Sequence, residues 1–411
     1  MNASQKYSTL FSLYIAQAVP MSFFSTVLPV IMRMENFSMS GIALIQLIKL
    51  PWILKFLWAP MVDRNASSYM QYKRWIIASE IFYAACIVAI AFFRLQTDFT
   101  TIIVLMILAI TFSATQDIAS DALAIRILTK KERPFGNSVQ SMGNFVGTLL
   151  GSGFLLIAYT ITGWQWLMVL LAAFVLIALL PLVFNIRKKY EVATIVPESK
   201  MSWKDIGTFF KIPGIGRWVL ILAIFYSGIL GILAMLKPWM VDLGYNVKQI
   251  AFMVGIYGTG CGAAAAFAAG FIIRYLGQRK SIMLFAAYNI IAASFFLYIV
   301  NFGITKPMLY ASITVLWSAY AMSSVIIYTV SMSKVRAGKE GTDYSIQIVI
   351  THLKGILIAI IAGRIADAFG MKYVFAAETM LAILVFIVVA TSPKAIFESK
   401  VELPKKHTVN E

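Results

Sequence analysis

The stretch Trp166-Leu-Met-Val-Leu-Leu-Ala-Ala-Phe-Val-Leu-Ile-Ala-Leu-Leu-Pro-Leu-Val183 decides the fold. It carries no charged residue and no hydroxyl, amide or acid. A membrane-barrel strand alternates apolar and polar residues over about ten positions. A helix on the surface of a soluble domain shows an apolar stripe and a polar face. A run apolar on every face and long enough to cross a bilayer reads as a helix in lipid. Ile102–Thr111 reads the same way. Composition agrees: of 411 residues 60% are hydrophobic and 13% charged, whereas a soluble globule is about half apolar and a quarter charged. A soluble enzyme, a secreted disulfide scaffold and a soluble nucleic-acid-binding protein are excluded. Cys86 and Cys261 lie in apolar segments without metal-ligand spacing and read as small buried hydrophobes.

Outward from that stretch, twelve spans are expected, at residues 8–32, 39–62, 74–93, 99–125, 137–161, 164–186, 214–238, 247–273, 279–301, 306–333, 343–368 and 371–392. The first is too long for the core of a cleavable signal, and only Lys6 precedes it, so it is expected to remain in the mature protein. With the amino terminus inside, inward loops and tails hold 25 of the 35 Lys and Arg, and outward loops hold seven. That bias places both termini in the cytoplasm. The net charge of +17 is therefore a topology signal and leaves no patch that calls for nucleic acid. Arg187–Lys211 is the longest polar stretch and divides the spans six and six. It reads as a cytoplasmic linker with a short interfacial helix around Ser202–Phe210.

The halves echo each other. Lys131-Glu132 followed by Ser138-x-Gln140 recurs as Lys339-Glu340 followed by Ser345-x-Gln347. Ala59-Pro60-Met61-Val62-Asp63-Arg64 after the second span has a counterpart in Gly270 to Lys280 after the eighth. The fold expected is all-α, with twelve transmembrane helices in two pseudo-symmetric six-helix bundles at residues 1–186 and 213–393, joined by a linker at 187–212 and followed by a tail at 394–411.

These residues resemble the major facilitator superfamily, whose loop signature after helices 2 and 8 is roughly G-x-x-x-D-R-x-G-R-R. Asp63-Arg64 matches it in the first half, with Ala59 in place of the glycine. Gly270, Gly277, Arg279 and Lys280 match it in the second, with Arg274 in place of the acid. The resemblance therefore carries the acid's latch role to Asp63 alone. Lys55-Phe56-Leu57-Trp58-Ala59-Pro60-Met61-Val62-Asp63-Arg64 and Ala114-Thr115-Gln116-Asp117-Ile118-Ala119-Ser120-Asp121, with the weaker Gln17-Ala18-Val19-Pro20, Leu50-Pro51 and Asp242-Leu243-Gly244, are similar to the muropeptide permease and acetyl-coenzyme A transporter family. That resemblance implies import of a bulky anionic solute, in bacteria usually a cell-wall muropeptide, with protons.

Ionisable groups inside a bilayer each cost several kcal/mol unless paired or hydrated, about 2.5–3.5 on insertion scales. Lys49 lies about ten residues into its span, roughly 15 Å deep, and Lys354 lies at similar depth in the eleventh. Two cations at one depth suit a carboxylate or phosphate of the solute; the competing reading pairs each with a local acid or carbonyl. Asp343, Gln347, Ile350 and Lys354 share a helix face that suits a water-filled path. His352 lies about 200° from Lys354 and reads as a structural hydrogen-bonder or a proton carrier. Gln17, Gln46 and Asn144 are candidate solute ligands, with Asn137, Ser141 and Thr148 on the same face as Asn144. Asp117 and Asp121, one turn apart, could carry protons or form an inner gate with Lys55, Arg64 or Arg126. Glu80, on the third span, is a further candidate for protonation. Gly143, Gly147 and Gly151 in span five, and Gly258, Gly262, Ala266 and Gly270 in span eight, are expected to form a sliding seam between the halves.

No Walker loop, nucleophile–base pair or metal cluster is evident, so no cofactor and no enzymatic activity are expected. The expectation is a monomeric, multi-pass inner-membrane carrier that moves a small anionic solute by alternating access, with protons and the lipid bilayer as its other partners. An exporter or exchanger of acyl-coenzyme A or another organic anion is the alternative. A transporter-like sensor or a membrane acyltransferase is the alternative of another class.

Overall fold

The computed structural model describes residues 2–38, 44–185 and 201–397, apart from the side chain of Gln46. The expected linker charges Arg187, Lys188, Lys189 and Lys200, and the part of the tail from residue 398 on, with His407, lie outside the described residues. Among the described residues the chain is helical with no strand.

Among the described residues twelve helices follow the twelve apolar runs: α1 is Ala3–Met34, α3 Tyr69–Ala91, α4 Phe99–Ile127, α10 Lys306–Ser331, α11 Glu340–Phe369 and α12 Met371–Thr391. The other six are interrupted. α2 is assembled from the short turns Ile45–Lys49, Leu50–Leu54, Lys55–Leu57 and Ala59–Asn65, two of which have Pro51 and Pro60 in their first turn. Proline supplies no amide to the turn before it. α5 starts at Arg133 and runs to a break at Gly163, from which α6 continues to Asn185. α8 starts at Val247 and runs to a break at Gly277, from which α9 continues to Phe302. Gly163 (φ 72°) and Gly277 (φ 79°) adopt backbone that a Cβ would strain, and so turn one helical run into two spans. α7 is Ile215–Ile224 followed, after a break, by Ser227–Asp242.

Burial divides the apolar core. One cluster lies within α7–α12 and the linker, around Trp218, Phe285, Phe296 and Phe375. A second lies within α1–α6, around Phe23, Phe24, Met106 and Leu171. A third joins the halves at one end, where Tyr72, Leu123 and Leu128 pack with Met332, Tyr344 and Ile348. That end, here called the base, carries the start of α1, the loops α2–α3, α4–α5 and α10–α11, and the linker helix Asp205–Phe209. The linker helix falls where the sequence places it. Arg336 donates to the Asp205 carbonyl at 2.9 Å and the Thr208 hydroxyl at 2.6 Å, and Lys339 pairs with the Asp205 carboxylate.

The small-residue faces divide differently from expectation. A Cβ on Gly147 would lie 2.6 Å from that of Ala18, and one on Gly151 would lie 2.3 Å from the Val19 carbonyl. Gly143 likewise meets Phe11 and Tyr14. The α5 glycines therefore let α1 approach within the same bundle. Gly258 meets Trp317 of α10, again within one bundle. Of the glycines in these two faces, Gly262, against Phe145, and Gly270, against Ser138 and Phe135, face across the halves. The seam is glycine on α8 against aromatic on α5, extended by Phe135 edge-on to Phe271 at 5.1 Å.

Candidate functional site

Two cavities lie along the axis between the halves. The upper, about 380 Å³, is lined by Gln17, Lys49, Trp52, Asn144, Thr148 and His352, among others. The lower, about 250 Å³ and nearer the base, is lined by Tyr14, Asp117, Asp121, Phe145, Tyr328 and Tyr344, among others. Gln17, Trp52, Asn144 and His352 line both, so the cavities share a wall. The stripe that faces them from α11 is Tyr344, Ile348, His352 and Ile356, at intervals of four. From α10 it is Tyr320, Ser324 and Tyr328, again at intervals of four.

At the lower cavity the helices carry opposed charges. Lys55 is fully buried and ion-pairs with Asp117; its ammonium also lies 5.0 Å from the Trp52 ring centroid. Asp121, one turn further along α4, accepts from the Tyr14 hydroxyl. Gln17 donates to the Gln116 side-chain carbonyl, and Trp58 donates to Thr115 at 3.1 Å. The paired arrangement is what a low-dielectric interior demands: removing one partner of a buried pair strands a charge at about 3–5 kcal/mol.

Below the lower cavity the halves are fastened together. Asp63, at the end of α2, accepts from the Gly341 amide at 3.0 Å and from the Thr342 amide and hydroxyl at 2.7 Å each. Those groups open α11, whose first amides have no partner within the helix, and a carboxylate there also meets the positive end of the helix dipole. Tyr72 holds the same carboxylate from its own half at 3.1 Å. Arg126 pairs with Glu340 at 3.1 Å, and Arg133 donates to the Met332 carbonyl at 3.0 Å. Asn137 is used here as well, donating to the Arg133 carbonyl and the Met332 sulfur. The base is closed.

Asn144, Ser141 and Thr148 stand in the cavity walls, as do Gln17, Lys49, Asp117 and Asp121. Gln46 lies on the first turn of α2, but its side chain is outside the described residues. Arg64 is exposed at the base, and the partner of Asp117 is Lys55. Glu80 is fully buried in α3, lines neither cavity, and its oxygens have no hydrogen-bond partner among the described residues.

The α11 stripe is corrected by half a turn. Asp343, Gln347 and Lys354 point away from the cavities. Asp343 holds Arg336 at 2.6 Å. Gln347 accepts from Trp218 at 2.7 Å and donates to the Asp343 and Ser331 carbonyls. Lys354 donates to the carbonyls of Leu222 at 3.1 Å and Phe225 at 2.7 Å. These polar groups serve α7 and the linker, so Lys49 and Lys354 do not share a cavity wall. The titratable side chain of α11 on the axis is the imidazole of His352, which the roughly 200° offset had put on the other face. The aromatic lining was missed as well. Tyr320, Ser324 and Tyr328 already show a four-residue spacing, but aromatic residues at helical spacing read equally well as core.

The model of the Major Facilitator Superfamily matches residues 10–358. The chain belongs to that superfamily. Among curated relatives, the anhydromuropeptide permease of Escherichia coli is 30% identical over 166 residues, 40% of this chain and 34% of that protein. A Rickettsia conorii transporter named AmpG 4 is 22% identical over 91% of this chain and 93% of its own length. Among solved structures, the E. coli fucose:proton symporter covers 95% of this chain and 99% of its own at 16% identity, with a TM-score of 0.71. This superfamily member is a multi-pass membrane transporter of small molecules and not an enzyme.

Proposed function

We propose that this transporter imports a bulky, anionic, amphipathic solute across the inner membrane by alternating access, coupled to protons, and that the solute is a sugar-peptide of the muropeptide class. The observation that carries the reading is the makeup of the axial cavities. Their walls combine aromatic faces (Trp52, Phe145, Tyr320, Tyr328) with the amides of Gln17 and Asn144 and the cationic or polarisable heads of Lys49 and His352. Aromatic faces suit the apolar faces of sugar rings, amides suit their hydroxyls, and a cation suits a peptide or acid carboxylate. The name of the E. coli permease relative agrees with that class.

In this reading the closed base and the axial cavities belong to one end state, and rocking of the bundles about the α5–α8 and α2–α11 contacts gives the other. Asp121, which accepts from the Tyr14 hydroxyl one turn from Asp117, is the proton site, and the Lys55–Asp117 pair is the gate. The test is uptake of anhydromuropeptides into proteoliposomes under an inward-directed proton gradient. Wild-type protein should accumulate the solute only with the gradient. Lys49→Ala and His352→Ala should each raise KM about tenfold, the worth of one charge-assisted contact of roughly 1.4 kcal/mol. Flux indifferent to the gradient would remove the coupling claim, and unchanged KM in both variants would remove the site.

A further inference from the structure

The break in α7 is built like an ion site. Its first segment ends at Ile224, Phe225 is extended, and Tyr226 takes a left-handed backbone (φ 50°), one of two non-glycine residues with positive φ among the described residues. In a continuous helix the carbonyls of Leu222 and Phe225 would accept from amides four residues on. Instead both converge on the ammonium of Lys354, at 3.1 and 2.7 Å, and the Tyr226 ring covers it with its centroid at 3.6 Å. Lys354 is 6% exposed, and no ion pair within 4 Å includes it among the described residues. The residue after the break, Ser227, is 2% exposed, and its hydroxyl has no partner among the described residues.

Neutral carbonyl dipoles and an aromatic face are the groups that replace the hydration shell of a small monovalent cation. Carriers with broken helices present unwound carbonyls to such ions. A lysine whose only task was to neutralise an acid would have found one; this lysine instead sits where carbonyl oxygens and a ring enclose a positive charge. We propose that the α7 break is a monovalent-cation site whose occupant is supplied by the chain itself, the ammonium of Lys354 on α11 standing in for a dissolved alkali ion. The tether holds α7 bent against α11 within one bundle without help from sodium or potassium. The inference concerns the ion and not the solute, so it stands or falls independently of the transport reading.

The test is thermal unfolding of the purified full chain in neutral detergent, in NaCl, LiCl, KCl or choline chloride at equal ionic strength. Choline is too large for the site and serves as the reference cation. Wild-type protein should unfold at the same temperature in all four. Lys354→Ala should unfold earlier in choline and regain about 3 °C or more, saturably, in at least one alkali chloride. Lys354→Ser, which returns an oxygen to the vacated position, should respond more strongly. Lys354→Met, whose apolar stem fills the space, should respond to none. Equal destabilisation of the Ala and Ser variants in all four salts would overturn the proposal, as would failure of both to fold in any of them. In either case Lys354 is a fixed cap on a helix end and nothing more.

Discussion

Replacing Asp63 by Asn should open the base. The carboxylate fastens the halves through three donors on α11: the amides of Gly341 and Thr342 and the Thr342 hydroxyl. Asn keeps the shape and one acceptor. It loses the charge that favours the helix N-terminus, worth up to about 2 kcal/mol when partly buried. It also sets an NH2 group where one carboxylate oxygen accepts two bonds. The fourth contact, from Tyr72, comes from Asp63's own half and survives opening. Only contacts made in one state shift the equilibrium, so the differential loss is about 2 kcal/mol, roughly 30-fold in the open-to-closed ratio. Ser345, fully buried two residues beyond Asp343 on α11, can report it. In a Cys86→Ala, Cys261→Ala background, Ser345→Cys should react with a bulky charged maleimide at a rate set by the open fraction. Asp63→Asn should raise that rate about 30-fold while the protein stays monodisperse and helical. Gly341→Ala should act in the same direction, because its Cβ would lie 2.8 Å from the Asp63 carboxylate oxygen. A rate within twofold of the reporter alone in both variants would show that Asp63 does not hold the base.

The remaining expectations concern packing and charge. Gly147→Leu should abolish folded protein, read by fluorescence-detected size exclusion, because its side chain collides with α1 inside one bundle. Gly262→Leu should leave folded protein but slow transport, because Phe145, 3.1 Å from the position of an added Cβ, is a side chain across the seam. Lys55→Met should lower thermal stability more than Lys55→Met with Asp117→Leu, since the double change leaves no stranded charge, by about 3–5 kcal/mol against near zero; equal losses would mean the pair is not coupled. The linker clamp should be acid-labile. Partial burial pushes the Asp205 carboxyl up, but bonds from Lys339, the Ser202 amide and Thr208 outweigh it and hold it below its ordinary value. A depressed carboxyl contributes in full above its unfolded value and is lost as pH falls through the lower folded value. Amide exchange in 202–210 should therefore accelerate below about pH 4 in wild-type protein and be pH-insensitive, once corrected for intrinsic rates, in Asp205→Ala.

The helices were legible because lipid leaves few alternatives: a backbone that cannot bond to water must bond to itself, and apolar runs mark where. The breaks were legible only in part. Pro51 announced trouble in α2, but nothing in Phe225-Tyr226 announces a left-handed turn, which depends on Lys354 from 128 positions along the chain. Asp117 and Asp121 line the same cavity because a one-turn spacing fixes a shared face. Their partners, Lys55 and Tyr14, come from other helices, and single-helix geometry cannot choose among donors on separate elements. The α11 assignment failed for a related reason. Period alone identifies faces but not which one looks inward. Polar residues were assigned to the cavity, whereas in α11 the polar face holds together α7 and the linker and the cavity receives tyrosine, isoleucine and histidine.

Three lysines lie within the spans, and each is accommodated differently. Lys55 meets a carboxylate, Lys354 meets backbone carbonyls and a ring, and Lys49 stands in the wall of the upper cavity. The difference bears on which of them can recognise a solute. A cation whose bonds are taken up by protein can exchange them for a passing anion only by breaking that protein contact, and for Lys354 that would leave helix-end carbonyls bare in the membrane interior. Lys55 could exchange only if Asp117 were neutralised, which ties its availability to protonation. Lys49 lines the upper cavity, so an anion can approach it without opening the Lys55–Asp117 pair or baring helix-end carbonyls, and low-dielectric walls focus its field along the axis. Selectivity for charge should therefore reside at Lys49, with His352 as a neighbouring hydrogen-bond donor to the solute, and gating at Lys55 and Asp117. A neutral solute analogue should then lose affinity at the first pair without altering the pH dependence set by the second.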